Sequence, residues 1–326
     1  MQGQVISNDN PIAEPLLPFP DASSGILATR DIIANGVRGI GEQFRRDAAV
    51  YNERYKNIAG RLSAINRALE ATSRAYSGPI TALDIGCGSG NATFAMLQLF
   101  EQAHVYATDL SPEMVELVAH EAQRTGVSDR LTLFIADAST VQLSRSAFHL
   151  VVGSSMIHHL IDPDQFIDRI LASVKPGGVA IFFEPFQAGH MMIRQILNTL
   201  VRLASVCQGL DERYVDFFKR YAATISVMSR EERDEAFYAK LDDKWMFTRA
   251  IFDRAAKRNG CEIVIIASDG TKHAFRGKIL NLIYKALGEK AVLPDWAAEV
   301  IDEADLGISA DLRNELLTEG SVVYTR

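Results

Sequence analysis

The residues best suited to chemistry in this 326-residue chain are an acid and three glycines in the run Ala82-Leu83-Asp84-Ile85-Gly86-Cys87-Gly88-Ser89-Gly90-Asn91. An apolar stretch runs straight into a glycine-rich turn and then a helical pattern, and glycines in such a turn let the backbone come close to a ligand. A branched side chain at Gly86 is expected to block that approach. The spacing G-x-G-x-G after an acid differs from the G-x-G-x-x-G of dinucleotide-binding turns, whose third glycine serves helix–strand packing over a pyrophosphate. Asp84 puts a negative charge at the strand tip, a poor neighbour for a pyrophosphate and a good one for an ammonium or sulfonium group. Two more acids stand at strand ends. Asp109 closes Val105-Tyr106-Ala107-Thr108-Asp109, about twenty residues beyond the loop, where an acid meets two ribose hydroxyls. A carboxylate accepts both bonds at once. Leu110 and Met114 next to it offer cover for an adenine face, and Asp137, after Phe134-Ile135-Ala136, is suited to the adenine amine.

Candidates for proton transfer follow the later strands: His158 and His159 after the fourth, Glu184 at the end of the fifth and His190 beyond it. Glu184 falls where open α/β sheets bind ligands, outside the carboxyl ends of the strands. A methyl transferred from a sulfonium moves by in-line displacement, so a base is needed only when the acceptor must lose a proton. Glu184, His158 and His190 are therefore expected to be the polar members of an acceptor pocket. No cluster of acids has the spacing of a metal site, and no metal is expected.

Positioning these residues requires alternating strands and helices. Between Pro79 and Pro185 short apolar runs alternate with helix signals, the mark of βαβ units and a parallel sheet. Strands are expected at about 80–85, 104–108, 131–135, 148–153 and 178–184, with later ones at Glu262–Ala267 and Ser321–Thr325. Ser111-Pro112 and Asp162-Pro163 read as helix starts, and Lys175-Pro176-Gly177-Gly178 reads as the turn into the fifth strand. Residues 1–24, rich in proline, read as an irregular arm, and 26–76 as a helical cap, so that 1–76 precedes an α/β core over 77–188. A helical insertion over 189–245 carries the stripe Ile193, Ile196, Leu197, Leu200 and is read as an acceptor lid or core-packing element. Residues 246–326 complete the core and contain a second helical stretch over 271–320.

Together these residues resemble the class I S-adenosylmethionine-dependent methyltransferases, in particular the small-molecule branch typified by quinone-biosynthesis C-methyltransferases. The resemblance is good over about 44–185 and loose over 245–268. It implies a doubly wound, mostly parallel α/β sheet of seven strands, order 3-2-1-4-5-7-6, with S-adenosyl-L-methionine as cofactor. By resemblance Gly86, Cys87 and Gly88 lie against the methionine part, Asp109 holds the ribose, Asp137 and Ala138 hold the adenine, and Ser154 lies near the sulfonium. Tyr51 and Tyr55 match a helix that folds over the cofactor. One departure is Phe148-His149, where the branch has Phe-Asp.

Composition narrows the partners. A net charge of −7 and a pI near 5.6 lack the basic footprint of a nucleic-acid binder. No stretch reaches the roughly 18 apolar residues of a membrane span. Three cysteines far apart make no disulfide framework. A cytoplasmic enzyme acting on a small, partly apolar acceptor is expected, with homo-oligomerisation open. The alternative is a non-catalytic S-adenosylmethionine-binding regulatory protein.

Overall fold

In a computed structural model, described over residues 10–20, 25–39, 44–230, 234–268 and 274–326, the chain opens on two short strands, β1 (Leu16–Pro18) and β2 (Leu27–Thr29). Helices α1 (Arg30–Asn35), α2 (Ala48–Tyr55) and α3 (Ile58–Ala71) follow. The expected alternation then begins: β3 (Ile80–Ile85), α4 (Asn91–Leu99), β4 (Ala103–Asp109), α5 (Pro112–Thr125), β5 (Leu131–Ile135) and β6 (Phe148–Ser154). Helix α6 (Pro163–Ser173) leads into β7 (Val174–Pro185). Both helix starts read from sequence hold: Ser111 accepts from Met114 N at 3.2 Å and Asp162 from Gln165 N at 2.9 Å. Gly126 ends α5 in the left-handed conformation, with φ 71°.

After β7 come α7 (Gln187–Leu203), α8 (Glu212–Met228), α9 (Glu235–Tyr238), α10 (Arg249–Asn259) and β8 (Glu262–Ala267). Then α11 (Ala274–Leu287), α12 (Asp295–Leu306) and α13 (Ala310–Glu315) precede β9 (Glu319–Thr325). No described helix is long and apolar enough to cross a membrane.

The sheet has nine strands in the order β1-β2-β5-β4-β3-β6-β7-β9-β8. Its last seven keep the expected order, but β1 and β2 extend the edge beyond β5, so a seven-stranded sheet is a correction. β2 pairs in parallel with β5 and antiparallel with β1. Three residues are too few to show a period of two, and Pro18 is tolerated because β1 is the edge strand. Of the arm read as irregular, Leu16–Pro18 instead form β1, while Ile12 is fully buried and Ala13 N donates to the Gln142 carbonyl at 2.9 Å. The rest of that arm, 1–9 and 21–24, lies outside the described residues, as do 40–43 of the cap, 231–233 of the insertion and 271–273. The Lys175–Gly178 turn is also corrected. Phe148 pairs with Val174 but Leu150 with Val179, so these residues bulge out of one continuous strand.

The chain divides into two compact units. The first, 1–183 with 250–265 and 321–326, holds the sheet's parallel centre. Its strands β3 and β6 are buried along almost their whole length, as a sheet covered on both faces requires. The second unit, 184–249 with 266–320, has its own core of Ile193 and Leu200 from α7, Phe218 from α8, Ile279 from α11 and Ile301 from α12. The stripe in the insertion and the stretch 271–320 thus complete one another. A Cβ at Gly189 would fall 2.3 Å from the Leu317 carbonyl oxygen, so only glycine lets α7 lie this close to 316–317.

Candidate active site

The glycine loop hangs from the end of β4. The backbone N–H groups of Gly86 and Cys87 both donate to the Thr108 carbonyl at 2.9 Å, and Gly88 N donates to Asp109 Oδ2 at 2.8 Å. The other Asp109 oxygen accepts from Ser111 N at 2.9 Å. Asp109 therefore shapes the loop, and its carboxylate keeps acceptor capacity for a ligand beyond these backbone bonds. Burial raises its pKa, against the N–H groups of Ser111, Gly88 and Leu110 and the nearby charge of His159.

Gly86, Gly88 and Gly90 all have positive φ, at 70°, 50° and 84°. Their surroundings differ. A Cβ at Gly86 would meet Met156 Cβ at 2.9 Å and one at Gly90 would meet Phe94 at 2.8 Å, whereas one at Gly88 would meet nothing within 4 Å. Gly88 is the glycine whose backbone faces open space. Cys87 between them is buried, and burial pushes its thiol pKa well up.

Asp84 is fully buried. Thr93 Oγ1 donates to its Oδ2 at 2.6 Å, while Oδ1 has no partner. Burial pushes its pKa up to about 6, against the Thr93 hydrogen bonds and the Arg61 guanidinium. Thr108 Oγ1 and Ser154 Oγ are likewise buried without a hydrogen-bond partner. Buried polar atoms are nearly always satisfied, so three orphans at the ends of β3, β4 and β6 mark the surface a polar ligand would complete. With the open space at Gly88, this donor and acceptor set fits S-adenosylmethionine.

Asn91 ties the N-terminal helices to this loop. Asn91, the first residue of α4, donates from Nδ2 to the Tyr55 carbonyl at 3.0 Å and accepts from Asn57 N at 2.7 Å. Tyr51 and Tyr55 are half-buried with ring centroids 4.5 Å apart, and Phe44 packs on Tyr51 at 5.1 Å and on His159 at 6.0 Å. Ser111 Oγ donates to the Phe44 carbonyl at 2.5 Å. Leu110 and Asp137 line a cleft with Asp31, Ile32, Asn35 and Arg38. Ala138 beside Asp137 is half-buried, its carbonyl held by Arg169 at 2.8 Å. Met114 is fully buried, so Leu110 is the apolar member of that pair which lines the cleft.

Among the proton-transfer candidates, His158 is buried in a single helical turn in the first unit, its ring 4.2 Å from that of His159. The charge of His159 acts on Asp109, opposing the rise that burial gives its pKa. Glu184 and His190 belong to the second unit and are buried. His190 Nδ1 is 2.9 Å from the Phe186 carbonyl. Burial and the charge of Lys278 push its pKa down to about 4, so the ring is neutral near pH 7 and a weak base. Lys278 pairs with Glu319. Burial works against that carboxylate, but Lys278, Lys285 and His190 hold it at about 2. What sequence reasoning missed is Asn91, Thr93 and the electrostatic effect of His159 on Asp109. Asn91 alone had a local signal, as the residue that follows the last loop glycine.

Residues 82–178 match a family model described as a methyltransferase domain. A malonyl-[acyl-carrier protein] O-methyltransferase of Hahella chejuensis is 27% identical over 213 residues, which cover 63% of this chain and 68% of that protein. A ribosomal protein L11 methyltransferase of Yersinia pseudotuberculosis is 28% identical over 136 residues, 41% of this chain and 39% of the other. The chain spans only 38–39% of the length of some of the curated relatives it matches. Among solved structures, geranyl diphosphate C-methyltransferase of Streptomyces coelicolor, in complex with S-adenosyl-L-homocysteine, is 13% identical with a TM-score of 0.47. It covers 80% of this chain and 75% of its own.

Proposed function

Because the α/β core is a class I S-adenosylmethionine-dependent methyltransferase domain, we propose that the chain is an enzyme that methylates a small-molecule acceptor. The observation that carries this is the trio of unpartnered buried oxygens of Asp84, Thr108 and Ser154 at the ends of β3, β4 and β6, together with the open space at Gly88. S-adenosylmethionine, when bound, supplies an electrophilic methyl on a sulfonium. Asp109 would accept from the ribose hydroxyls, Asp137 and Leu110 would hold the adenine, and Asp84 would oppose the positive charge of the methionine end. Tyr51 and Tyr55 would cover the cofactor and exclude water. Glu184 and His158 are the proposed bases, because His190, with its pKa near 4, is poorly matched to neutral pH.

Asp84 gives the reading a pH signature. A carboxyl raised to about 6 favours its neutral form. In the ligand-free chain it adds stability below about pH 4, which is lost as pH rises through about 6. A bound ammonium or sulfonium reverses this preference by needing the carboxylate. Affinity for S-adenosylhomocysteine, whose ammonium remains, is therefore expected to fall as pH drops through about 6. Calorimetry across that range checks it, and Asp84→Asn should flatten the profile. A wild-type profile that is already flat would remove Asp84 from the ligand's neighbourhood.

The enzyme reading is tested by screening acceptor libraries for production of S-adenosylhomocysteine. With an acceptor in hand that must lose a proton, Glu184→Ala or His158→Ala is expected to lower turnover by roughly two to four orders of magnitude. Tight cofactor binding with no turnover across broad libraries and cell extract would favour a regulatory binder instead.

A further inference from the structure

The strand starts, at the opposite end of β3 from the glycine loop, hold a cluster that the proposed reaction does not use. His149 is the second residue of β6, and its Nδ1 lies 2.9 Å from the backbone nitrogen of Thr81. A backbone N–H only donates, so Nδ1 is the acceptor and a neutral imidazole carries its proton on Nε2. That Nε2 lies 3.2 Å from Lys175 Nζ. Two donors thus face each other with no acceptor between them. Burial, and next the Lys175 charge, lower the His149 pKa, so protonation of the ring does not relieve the mismatch.

A second cation stands nearby. Arg74 Nη1 comes to 4.0 Å from where a Cβ at Gly177 would be, two residues along the β7 bulge from Lys175. The Arg74 charge also acts on Tyr76, whose hydroxyl donates to the His149 carbonyl at 2.7 Å. Neither Arg74 nor Lys175 has an acidic partner among the described residues. An aspartate at position 149 would supply Lys175 with an acceptor from within the chain. Histidine supplies another donor.

We propose that Lys175, Arg74 and His149 Nε2–H form a binding site for a phosphate-type oxyanion, separate from the cofactor site. Three donors from three different side chains suit a tetrahedral oxyanion with several acceptor oxygens better than a planar carboxylate, and charge-assisted bonds are the strong ones. The oxyanion is inorganic phosphate or the phosphate of a monoester.

The test is histidine nitrogen NMR on the full chain, which reads the tautomer directly, during titration with inorganic phosphate, glycerol 3-phosphate and acetate. The expected result is an Nε2-protonated His149 whose signals shift saturably with phosphate or the monoester and not with acetate. Tighter binding of one of the two identifies the source. Lys175→Gln and Arg74→Gln should each weaken binding about tenfold, and His149→Asp should abolish it while leaving the melting temperature and S-adenosylhomocysteine affinity unchanged. An Nδ1-protonated ring, no saturable shift with either phosphate, or shifts equal in wild type and the Lys175→Gln chain would each overturn the proposal.

Discussion

Replacing Asp109 by alanine is expected to lower affinity for S-adenosylhomocysteine by about a hundredfold or more, since two charge-assisted bonds of about 1.5–3 kcal/mol each are lost. The structure adds a second route to the same loss. Asp109 Oδ2 accepts from Gly88 N and Oδ1 from Ser111 N, so the substitution also releases the loop. Asp109→Asn is expected to be intermediate in both, because the amide keeps one acceptor oxygen and so loses one of the two backbone bonds as well as acceptor capacity for the hydroxyls. Calorimetry on both variants, with thermal melts beside it, is the measurement. Unchanged affinity in Asp109→Ala would mean that the ribose binds elsewhere.

The two loop glycines are expected to fail in different ways. Gly86→Val should destabilise the fold by about 2–5 kcal/mol, combining the left-handed backbone cost with overpacking against Met156. Sequence reasoning alone expects this change to block the ligand; the 2.9 Å approach to Met156 makes it first a packing defect. At Gly88 an added Cβ meets no protein atom within 4 Å, so Gly88→Val is expected to cost chiefly the backbone term of about 1–2 kcal/mol and yet abolish binding. Urea unfolding midpoints and S-adenosylhomocysteine titrations of the two variants check the contrast. A Gly88→Val chain that binds like wild type would place the ligand away from the loop.

What could be read without coordinates was what is local in the chain. Asp84, the glycines and Asp109 lie within a few residues of their strand ends, and the caps Ser111 and Asp162 carry their own signal in the following proline. What could not be read depends on pairs distant in sequence. Asn91 meets Tyr55, 36 residues earlier, and His159 meets Phe44, and neither contact has a period or spacing. β1 and β2 are too short to alternate visibly. The apolar stripe of α7 is legible, but a stripe says which face is buried and not against what, so the core it shares with α11 emerges only in three dimensions. His190 illustrates the same limit: its type suggested a base, while its burial and then Lys278, far along the chain, make it a weak one.

The most direct test of the central claim, that the glycine loop and its acids hold S-adenosylmethionine, is a calorimetric titration of the purified chain with S-adenosylhomocysteine beside NAD⁺. The expected result is saturable binding of S-adenosylhomocysteine at one site per chain, lost in Gly88→Val, with no heat from the dinucleotide. Absence of binding by both S-adenosylhomocysteine and S-adenosylmethionine, or saturable binding of NAD⁺ at this loop, would contradict it.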